Sequence, residues 1–289
     1  MERLGVTTTN CAPSLALRSA AEAISQKGLH EAHEVVRKAS RVSTVPSSAT
    51  VASGDGTSGD GTSAGGTFGE RSMRLGVLGG TGPAGSGLAA RFASVGVEVV
   101  VGSRHADKAA GAVAELTKRW GGLDMMLSPG TNGEAAEADV VVVATPWEGA
   151  VGTVKDLAPA LSGKVVISMV NAMTRWGDRF VPLLPPTGSV AVAVATALPY
   201  SRVAGAFHHL PAGPMGDPAH LLEADVMVFS DDRSTTDTVI DLVNRVPGLR
   251  GVDVGGLGSA MAVEALTAAL VEVNRRYKGH ASLRVTGIA

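Results

Sequence analysis

The chain has 289 residues and a formal net charge of -2, with 45% hydrophobic, 18% charged and 3% aromatic residues. It is long enough for one large domain or two small ones, with a core of Val, Ala and Leu. This charge balance excludes the basic field that nucleic-acid partners require. A single cysteine, Cys11, excludes an internal disulfide and a thiolate metal site, which favours a cytoplasmic protein. No apolar run reaches the roughly 20 residues of a membrane span.

Residues 1–72 differ in composition from the rest of the chain. Ser, Thr, Gly and Ala dominate from Ser40 to Thr67, where the sequence GDGTS at Gly54–Ser58 is repeated at Gly59–Ser63. Such a segment buries too little apolar surface to offset the entropy of ordering, so we expect a disordered, low-complexity extension. Its earlier part, Ser14–Ala39, has the periodicity of a short helix. A dispensable extension, a docking tail and a targeting peptide all remain open.

Strand and helix patterns alternate from Met73 onward. The predicted strands are Met73–Gly80, Val97–Arg104, Leu123–Leu127, Asp139–Pro146, Lys164–Val170, Val203–His209 and Asp225–Asp231. The predicted helices are Ala84–Ser94, Ala106–Trp120, Thr131–Glu137, Trp147–Leu161, Ser234–Val246 with Ser234 as N-cap, and Gly258–Lys278, while Gly188–Leu198 is ambiguous. This alternation implies right-handed βαβ units. We therefore expect one α/β domain over residues 73–289, a Rossmann-type doubly wound parallel sheet with a short helical C-terminal extension.

A glycine-rich turn connects the first predicted strand to the first helix. Gly80, Thr81, Gly82, Pro83, Ala84 and Gly85 fit the spacing G-x-G-x-x-G. In such a turn the first glycine allows the tight bend, the second lets a pyrophosphate approach the backbone, and the third permits close helix–strand packing. The N–H groups of the helix N-terminus then face the phosphate charge. The strand–turn–helix context predicts a dinucleotide-binding site.

The end of the second predicted strand indicates which dinucleotide binds. NAD-binding proteins usually place Asp or Glu at this position for the ribose hydroxyls. Here the chain reads Gly102-Ser103-Arg104, so no carboxylate of this segment repels a 2′-phosphate. Ser103 can donate a hydrogen bond and Arg104 a charge-assisted one, with Lys108 one helical turn later. The sequence therefore predicts NADP rather than NAD.

Two segments together resemble a known family. The sequence GGTGPAGSGLAARFASVGVEVVVGSR ends at Arg104, and VVVVATPWEGA follows at Val140–Ala150. Both are similar to the NADPH-dependent coenzyme F420 reductases, and the resemblance spans Met73 to Ala289. In that family a hydride moves between NADP(H) and F420, a 5-deazaflavin. The resemblance implies that NADP contacts Thr81, Ser103, Arg104 and Lys108, that Thr145, Pro146 and Trp147 flank the nicotinamide, and that Val170, Asn171, His208 and Leu257 line the deazaflavin side.

The chemistry of hydride transfer between two cofactors agrees with the absence of a recognisable acid–base pair or metal-ligand spacing in the sequence. The cofactors carry the reactive carbons, so no catalytic side chain and no metal are expected. His208 is the residue that would suit the main alternative, an NADPH-dependent reductase of an imine or small carbonyl, similar to pyrroline-5-carboxylate reductase. A non-enzymatic NADP-sensing module is the other alternative. The partners expected are these small molecules. The apolar face of Gly258–Lys278 is suited either to completing the core or to a homodimer interface, and both remain open.

Overall fold

The computed structural model describes residues 73–288, so the predictions for residues 1–72 lie outside the described part of the chain. The described residues form an eight-stranded sheet and a separate two-stranded hairpin. The sheet contains β1 (Arg74–Leu78), β2 (Glu98–Ser103), β3 (Leu127–Thr131), β4 (Val140–Val143), β5 (Val165–Ser168), β8 (Arg202–Gly205), β9 (Ala224–Ser230) and β10 (Leu249–Asp253), and the hairpin pairs β6 (Met173–Trp176) with β7 (Arg179–Pro182).

The strand order in the sheet is β3-β2-β1-β4-β5-β8-β9-β10. Neighbouring strands are parallel except for β8 and β9, which are antiparallel. The first six strands therefore have the order of a doubly wound Rossmann sheet, which confirms the predicted fold class. The helices are α1 (Pro83–Ala93), α2 (Ala106–Arg119), α3 (Asn132–Ala136), α4 (Trp147–Asp156), α5 (Ala158–Leu161), α6 (Val190–Ala197), α7 (Ala212–Met215), α8 (Arg233–Asn244) and α9 (Ala260–Tyr277), with a 3-10 turn at Leu257–Ser259.

The central strands are buried on both faces, as their composition requires. β4 reads VVVV and β5 reads VVIS, and every residue of both strands is buried. Alternate side chains join different clusters: Val142 packs in the cluster of Phe92 on α1, and Val143 packs in the cluster of Val154 on α4. Near-continuous β-branched runs are typical of parallel strands covered by helices on two sides. This arrangement leaves the carboxyl edge of the sheet as the place where the strand–helix loops converge.

The third strand lies four residues later than predicted. β3 spans Leu127–Thr131, where the sequence favoured the more apolar Leu123–Leu127. Pairing with β2 places Pro129 opposite Val101. The proline is tolerated because β3 is an edge strand of the described sheet, where one side of the backbone forms no ladder. Tertiary pairing therefore outweighed local propensity.

In the second half, the hairpin, β10 and α7 were missed, and the stretch 188–198 was left undecided. The hairpin turns at Gly177, whose φ is +63°, and its strands are largely exposed, so no buried alternation marked them in the sequence. β10 is a short edge strand that contains Gly251, which hides its pattern. The ambiguous stretch 188–198 forms α6, whose N-cap Ser189 accepts a hydrogen bond from the Val192 N–H at 3.1 Å.

Two predicted helices have different ends. The stretch 147–161 is divided at Leu157 into α4 and α5, because Pro159 cannot continue the first helix and instead lies in the first turn of the second. The N-cap of α8 is Asp232 rather than Ser234, since the Asp232 carboxylate accepts a hydrogen bond from the Ser234 N–H at 3.2 Å. A proline thus sets the first boundary, and a carboxylate cap sets the second.

The C-terminal helix α9 buries a different face from the apolar one noted in the sequence. Its buried residues are Ala260, Val263, Glu264, Thr267 and Ala268. The more apolar stripe, which contains Met261, Ala265, Leu266, Ala269, Leu270 and Val273, stays partly or fully exposed. Residues 257–277 are also long and apolar enough to cross a membrane, with 28% of that window buried. The sequence expectation that no segment has the length and apolar character of a span is therefore not confirmed for this helix.

The buried side chain of Arg91 holds the segment that follows β8 in place. The Arg91 side chain on α1 is 4% exposed, and its guanidinium donates hydrogen bonds to the backbone carbonyls of four residues, Pro214, Met215, Asp217 and His220. Burial lowers the pKa of Arg91, and the charge of Asp217 partly opposes that shift. Next to this contact a Cβ on Gly87 would lie 3.0 Å from the Gly216 nitrogen. The helix of the glycine-rich turn is thus tied directly to α7.

Candidate functional site

The glycine-rich turn adopts a tight conformation between β1 and α1. The residue with positive φ is Gly79, at +72°, whereas the first glycine of the predicted motif was Gly80. Gly80 instead donates its N–H to the Gly102 carbonyl at 2.8 Å, which joins the turn to β2. A Cβ on Gly85 would lie 2.9 Å from the Gly80 Cα. Gly85 therefore has the close-packing role expected of the third glycine, and the Gly79-Gly80 pair was the sequence signal for the bend.

The first turn of α1 opens towards the carboxyl edge without a side-chain cap. Its N-cap is Gly82, and Pro83 occupies the first helical position, where its missing N–H costs nothing. The Ser86 N–H donates to the Gly82 carbonyl at 2.8 Å, while the N–H groups of Ala84 and Gly85 have no partner among residues 73–288. These donors, together with the positive end of the helix dipole, are suited to a phosphate.

The loop after β4 closes against this turn. A Cβ on Gly79 would lie 2.9 Å from the Thr145 Cγ2 atom, so only glycine fits beside Thr145. The Gly79 N–H donates to the Asn132 side-chain oxygen at 3.1 Å, which ties α3 to the same turn. Trp147 is partly buried and packs against the core cluster of α4, while Pro146 is exposed. Asn132 was not identified from the sequence, since its contact spans 53 residues.

A pocket lies where β2 and β3 end. It has a volume of ≈ 270 Å³ and is lined by Ser103, Arg104, Thr131, Asn132, Gly133, Thr153, Asp156 and Leu157. The Ser103 oxygen accepts a hydrogen bond from the His105 N–H at 3.3 Å, and Arg104 is exposed and forms no ion pair within the described chain. Lys108 is exposed on α2 and is not part of the lining. Ser103 and Arg104, which were predicted to recognise a 2′-phosphate, thus line the same pocket.

Two carboxylates lie near this pocket, and the sequence did not indicate either. The Glu134 carboxylate accepts two hydrogen bonds from Thr131, one from its N–H at 2.6 Å and one from its hydroxyl at 2.9 Å. These hydrogen bonds lower the pKa of Glu134. Asp156, near the end of α4, lies on the lining and is exposed. Helix α4 is far from β2 in the sequence, so only the fold brings Asp156 to this pocket.

The histidine pair lies beyond β8 rather than at the end of a longer strand. β8 ends at Gly205, and Phe207 then adopts a positive φ of 66°, so the predicted strand Val203–His209 is too long. His208 and His209 are each 3% exposed. Burial lowers the pKa of His208 to about 3, with a further contribution from His209, and lowers the pKa of His209 to about 4. Both rings are therefore neutral near pH 7.

The residues predicted to line the deazaflavin side lie close together, but not all of their side chains point to a ligand. The Val170 side chain is buried in the core cluster of α4. The Asn171 amide nitrogen donates to the His208 carbonyl at 2.9 Å. The His208 ring stacks on Phe229 with centroids 5.4 Å apart, and Leu257 packs against the cluster of Phe229. Phe229 itself was missed, because it comes from the antiparallel strand β9.

At the carboxyl edge of the sheet, between the pocket at the end of β2 and the residues around His208, several buried polar side chains have no hydrogen-bond partner within the described residues. Thr145 Oγ1, Ser168 Oγ and both ring nitrogens of His208 are buried and have no hydrogen-bond partner in the described part of the chain. Their residues follow or end β4, β5 and β8, which are adjacent in the sheet. Buried polar groups are nearly always paired in folded proteins, and ligands of open α/β sheets bind at this edge. The row fits a nicotinamide nucleotide beside a second flat, polar ring.

Comparison with known proteins gives consistent matches. A family described as NADP oxidoreductase, coenzyme F420-dependent, matches residues 74–172. The F420-dependent NADP reductases of Methanocaldococcus jannaschii and Methanothermobacter marburgensis are 35% and 33% identical over 222 and 224 residues, and each alignment covers 75% of this chain and 99% of the relative. A crystal structure from Arthrobacter sp. FB24, provisionally described as an F420-dependent NADP reductase, superposes with a TM-score of 0.63 at 21% identity, covering 74% of this chain and 99% of that chain.

Proposed function

Because this chain belongs to the family of coenzyme F420-dependent NADP oxidoreductases, we propose that it is an enzyme that transfers a hydride between NADP(H) and coenzyme F420. When bound, the two cofactors supply the reacting carbons, C4 of the nicotinamide and C5 of the deazaflavin. The protein must hold the two rings at a near-attack distance of roughly 3 to 3.5 Å and exclude water. The residues of the carboxyl edge are suited to these tasks.

The NADP half of the site is assigned to three groups of residues. The backbone N–H groups of Thr81, Ala84 and Gly85 are assigned to the pyrophosphate, while Gly80 and Gly82 shape the turn through their own backbone hydrogen bonds and Pro83 fixes the first helical turn. Ser103 and Arg104 recognise the 2′-phosphate in the pocket at the end of β2, with Lys108 adding positive charge nearby. Thr145, Pro146 and Trp147 flank the nicotinamide, where the unpartnered Thr145 hydroxyl can bond to its polar substituent.

The deazaflavin half of the site is assigned to Val170, Asn171, His208 and Leu257. Of these, His208 has ring nitrogens free to bond to a ligand, whereas Asn171 shapes the site through its bond to the His208 backbone. Val170 contributes through its position at the end of β5, since its side chain packs inward. Leu257 contributes an apolar surface beside Phe229.

The state of His208 is the observation that favours transfer between cofactors over reduction of an imine or small carbonyl. An imine or carbonyl reductase needs a proton donor beside the substrate. Burial lowers the pKa of His208 to about 3, so its ring carries no proton to give as an imidazolium near neutral pH. Reduction of F420 also takes up one proton, but the charge that would arrive with the hydride at C5 is delocalised over the ring, so water can supply this proton and no side chain is assigned a catalytic role.

A direct assay tests the proposal. Purified protein mixed with NADPH and oxidised F420 should discharge the deazaflavin absorbance, and omission of either NADPH or protein should prevent the change. The same protein should discharge it far more slowly with NADH. Absence of turnover across the pH range, with NADPH binding confirmed by titration, would remove F420 as the acceptor.

We also propose that the chain forms a homodimer through α9 and the hairpin. Support comes from exposed apolar side chains on both elements, including Trp176 at 77% and Phe180 at 47% exposure on the hairpin and Met261 at 51% on α9. Contiguous apolar patches of this kind mark association surfaces. Light scattering coupled to size exclusion should give twice the chain mass, and Met261→Lys should reduce this value to the mass of one chain.

We also propose a cytoplasmic location, since both cofactors are soluble small molecules.

A further inference from the structure

Three separate elements meet at the backbone carbonyl of His208. The Asn171 amide nitrogen, from the loop after β5, donates to this oxygen at 2.9 Å. The Thr267 hydroxyl, from α9, lies 3.0 Å from the same oxygen and 3.2 Å from the Asn171 side-chain oxygen. Thr267 is 8% exposed, so its hydroxyl is withheld from solvent. No sequence signal marked Thr267, because it lies 59 residues from His208 and 96 from Asn171.

The hydroxyl of Thr267 determines which way the Asn171 amide faces. A hydroxyl has one proton to donate, and both of its neighbours here are acceptors. The Asn171 oxygen and the His208 carbonyl share this proton, and the hydroxyl thereby stabilises the orientation in which the Asn171 amide nitrogen donates to the His208 carbonyl. Without this hydroxyl, the Asn171 oxygen has no partner among residues 73–288, and the amide is free to rotate away from His208.

The carbonyl that is held in this way belongs to His208, whose ring nitrogens are buried and have no hydrogen-bond partner among residues 73–288. Phe207 is fixed on one face of the sheet by an edge-to-face contact with Phe92, with centroids 5.7 Å apart, and has a strained positive φ of 66°. His208 is directed to the opposite face, against Phe229. Neither of its ring nitrogens has a partner within residues 73–288. A neutral imidazole offers one donor and one acceptor, which suits a flat ring that carries both.

We propose that Thr267 is a positioning residue, which acts through the Asn171 amide and the His208 carbonyl to fix the His208 ring for the second cofactor. The inference rests on the proposed function for the identity of that cofactor, whereas the link between Thr267 and His208 stands on geometry alone. It assigns to the C-terminal helix a role in the site, although α9 contributes no side chain to the assigned cofactor contacts.

Two variants isolate the hydroxyl. Thr267→Val keeps the shape of the side chain and removes the hydroxyl, and Thr267→Ser restores it. Loss of one buried hydrogen bond should lower kcat/KM for F420 by roughly five- to tenfold in Thr267→Val, with the dissociation constant of NADPH changed by less than about twofold. Thr267→Ser should recover most of the loss. The matched control is Thr196→Val, since the exposed Thr196 hydroxyl donates to its own helix at the Val192 carbonyl.

Hydrogen–deuterium exchange provides a readout that does not depend on F420. In Thr267→Val, the backbone of residues 206–211 should exchange faster than in the parent protein, while residues 79–85 should be unchanged. The proposal is overturned if exchange over 206–211 is unaltered, if NADPH affinity falls as much as kcat/KM for F420, or if Thr267→Ser behaves like Thr267→Val. If the parent protein fails to reduce F420, the proposed function fails, and the exchange comparison alone decides the role of Thr267.

Discussion

The buried pair His208 and His209 should make the fold sensitive to mild acid. Both histidines have pKa values in the folded protein, about 3 and about 4, below the ordinary 6.5. The unfolded chain therefore binds more protons than the folded one as pH falls below 6.5, and stability is lost in that direction. Between about pH 7.5 and about pH 5 each histidine should cost about 2 kcal/mol of unfolding free energy, at ~1.4 kcal/mol per pKa unit.

The pair together should therefore lower stability by about 4 kcal/mol, a large share of the roughly 5 to 15 kcal/mol of an ordinary domain. Glu264 acts in the opposite direction, because burial raises the pKa of its carboxyl and its contribution grows as pH falls. Urea unfolding at a series of pH values measures the net effect. His208→Phe keeps the stack on Phe229, and His209→Gln keeps an acceptor for the Met227 N–H. Each variant should remove about half of the pH dependence.

A suitable control for these variants is His105→Gln, because the His105 ring is exposed. It should retain the acid sensitivity of the parent protein. If both variants at the buried pair kept the full pH dependence, the assignment of neutral, desolvated rings to His208 and His209 would be incorrect. His208 would then be able to act as a proton donor near neutral pH.

Three further substitutions test the NADP half of the site and its support. Arg104→Glu should weaken NADPH binding by roughly 10- to 100-fold and leave NADH nearly unchanged, and equal effects in fluorescence titrations would place Arg104 away from the 2′-phosphate. Arg91→Met should lower the unfolding free energy by roughly 3 kcal/mol, because four carbonyl contacts are lost, and an unchanged melting temperature would contradict this. Gly79→Ala should cost about 1 to 2 kcal/mol through its positive φ and also weaken NADPH binding; full retention of NADPH affinity would show that Thr145 adapts.

The first half of the fold was predictable because local patterns and tertiary structure agree there. The strands β1, β2, β4 and β5 are apolar runs bounded by glycine or by helix starts, and nearly all of their residues are buried. The glycine-rich turn and the Ser103-Arg104 pair follow immediately in sequence from strands that were identified. Residues of this kind, which act next to a recognisable element, are accessible to sequence reasoning.

Residues that depend on contacts distant in sequence were not predictable. Asn132 reaches Gly79, Thr267 reaches His208, and Asp156 reaches the pocket of Arg104 only after the sheet has assembled. β3 was misplaced for a related reason, since its pairing with β2 outweighs the weak propensity of Ser128-Pro129-Gly130. The exposed hairpin carries no burial pattern, so its strands left no periodic signal in the sequence.

Direct transfer of the hydride can be followed with isotopes. The protein is supplied with oxidised F420 and NADPH that carries deuterium on the transferred position of C4, in ordinary water, and the reduced F420 is analysed by mass spectrometry. Direct transfer should leave one deuterium at C5 of the reduced F420, and none there when unlabelled NADPH is used in heavy water. Deuterium entering C5 from the solvent, or NADPH bound without any reduction of F420, would contradict it.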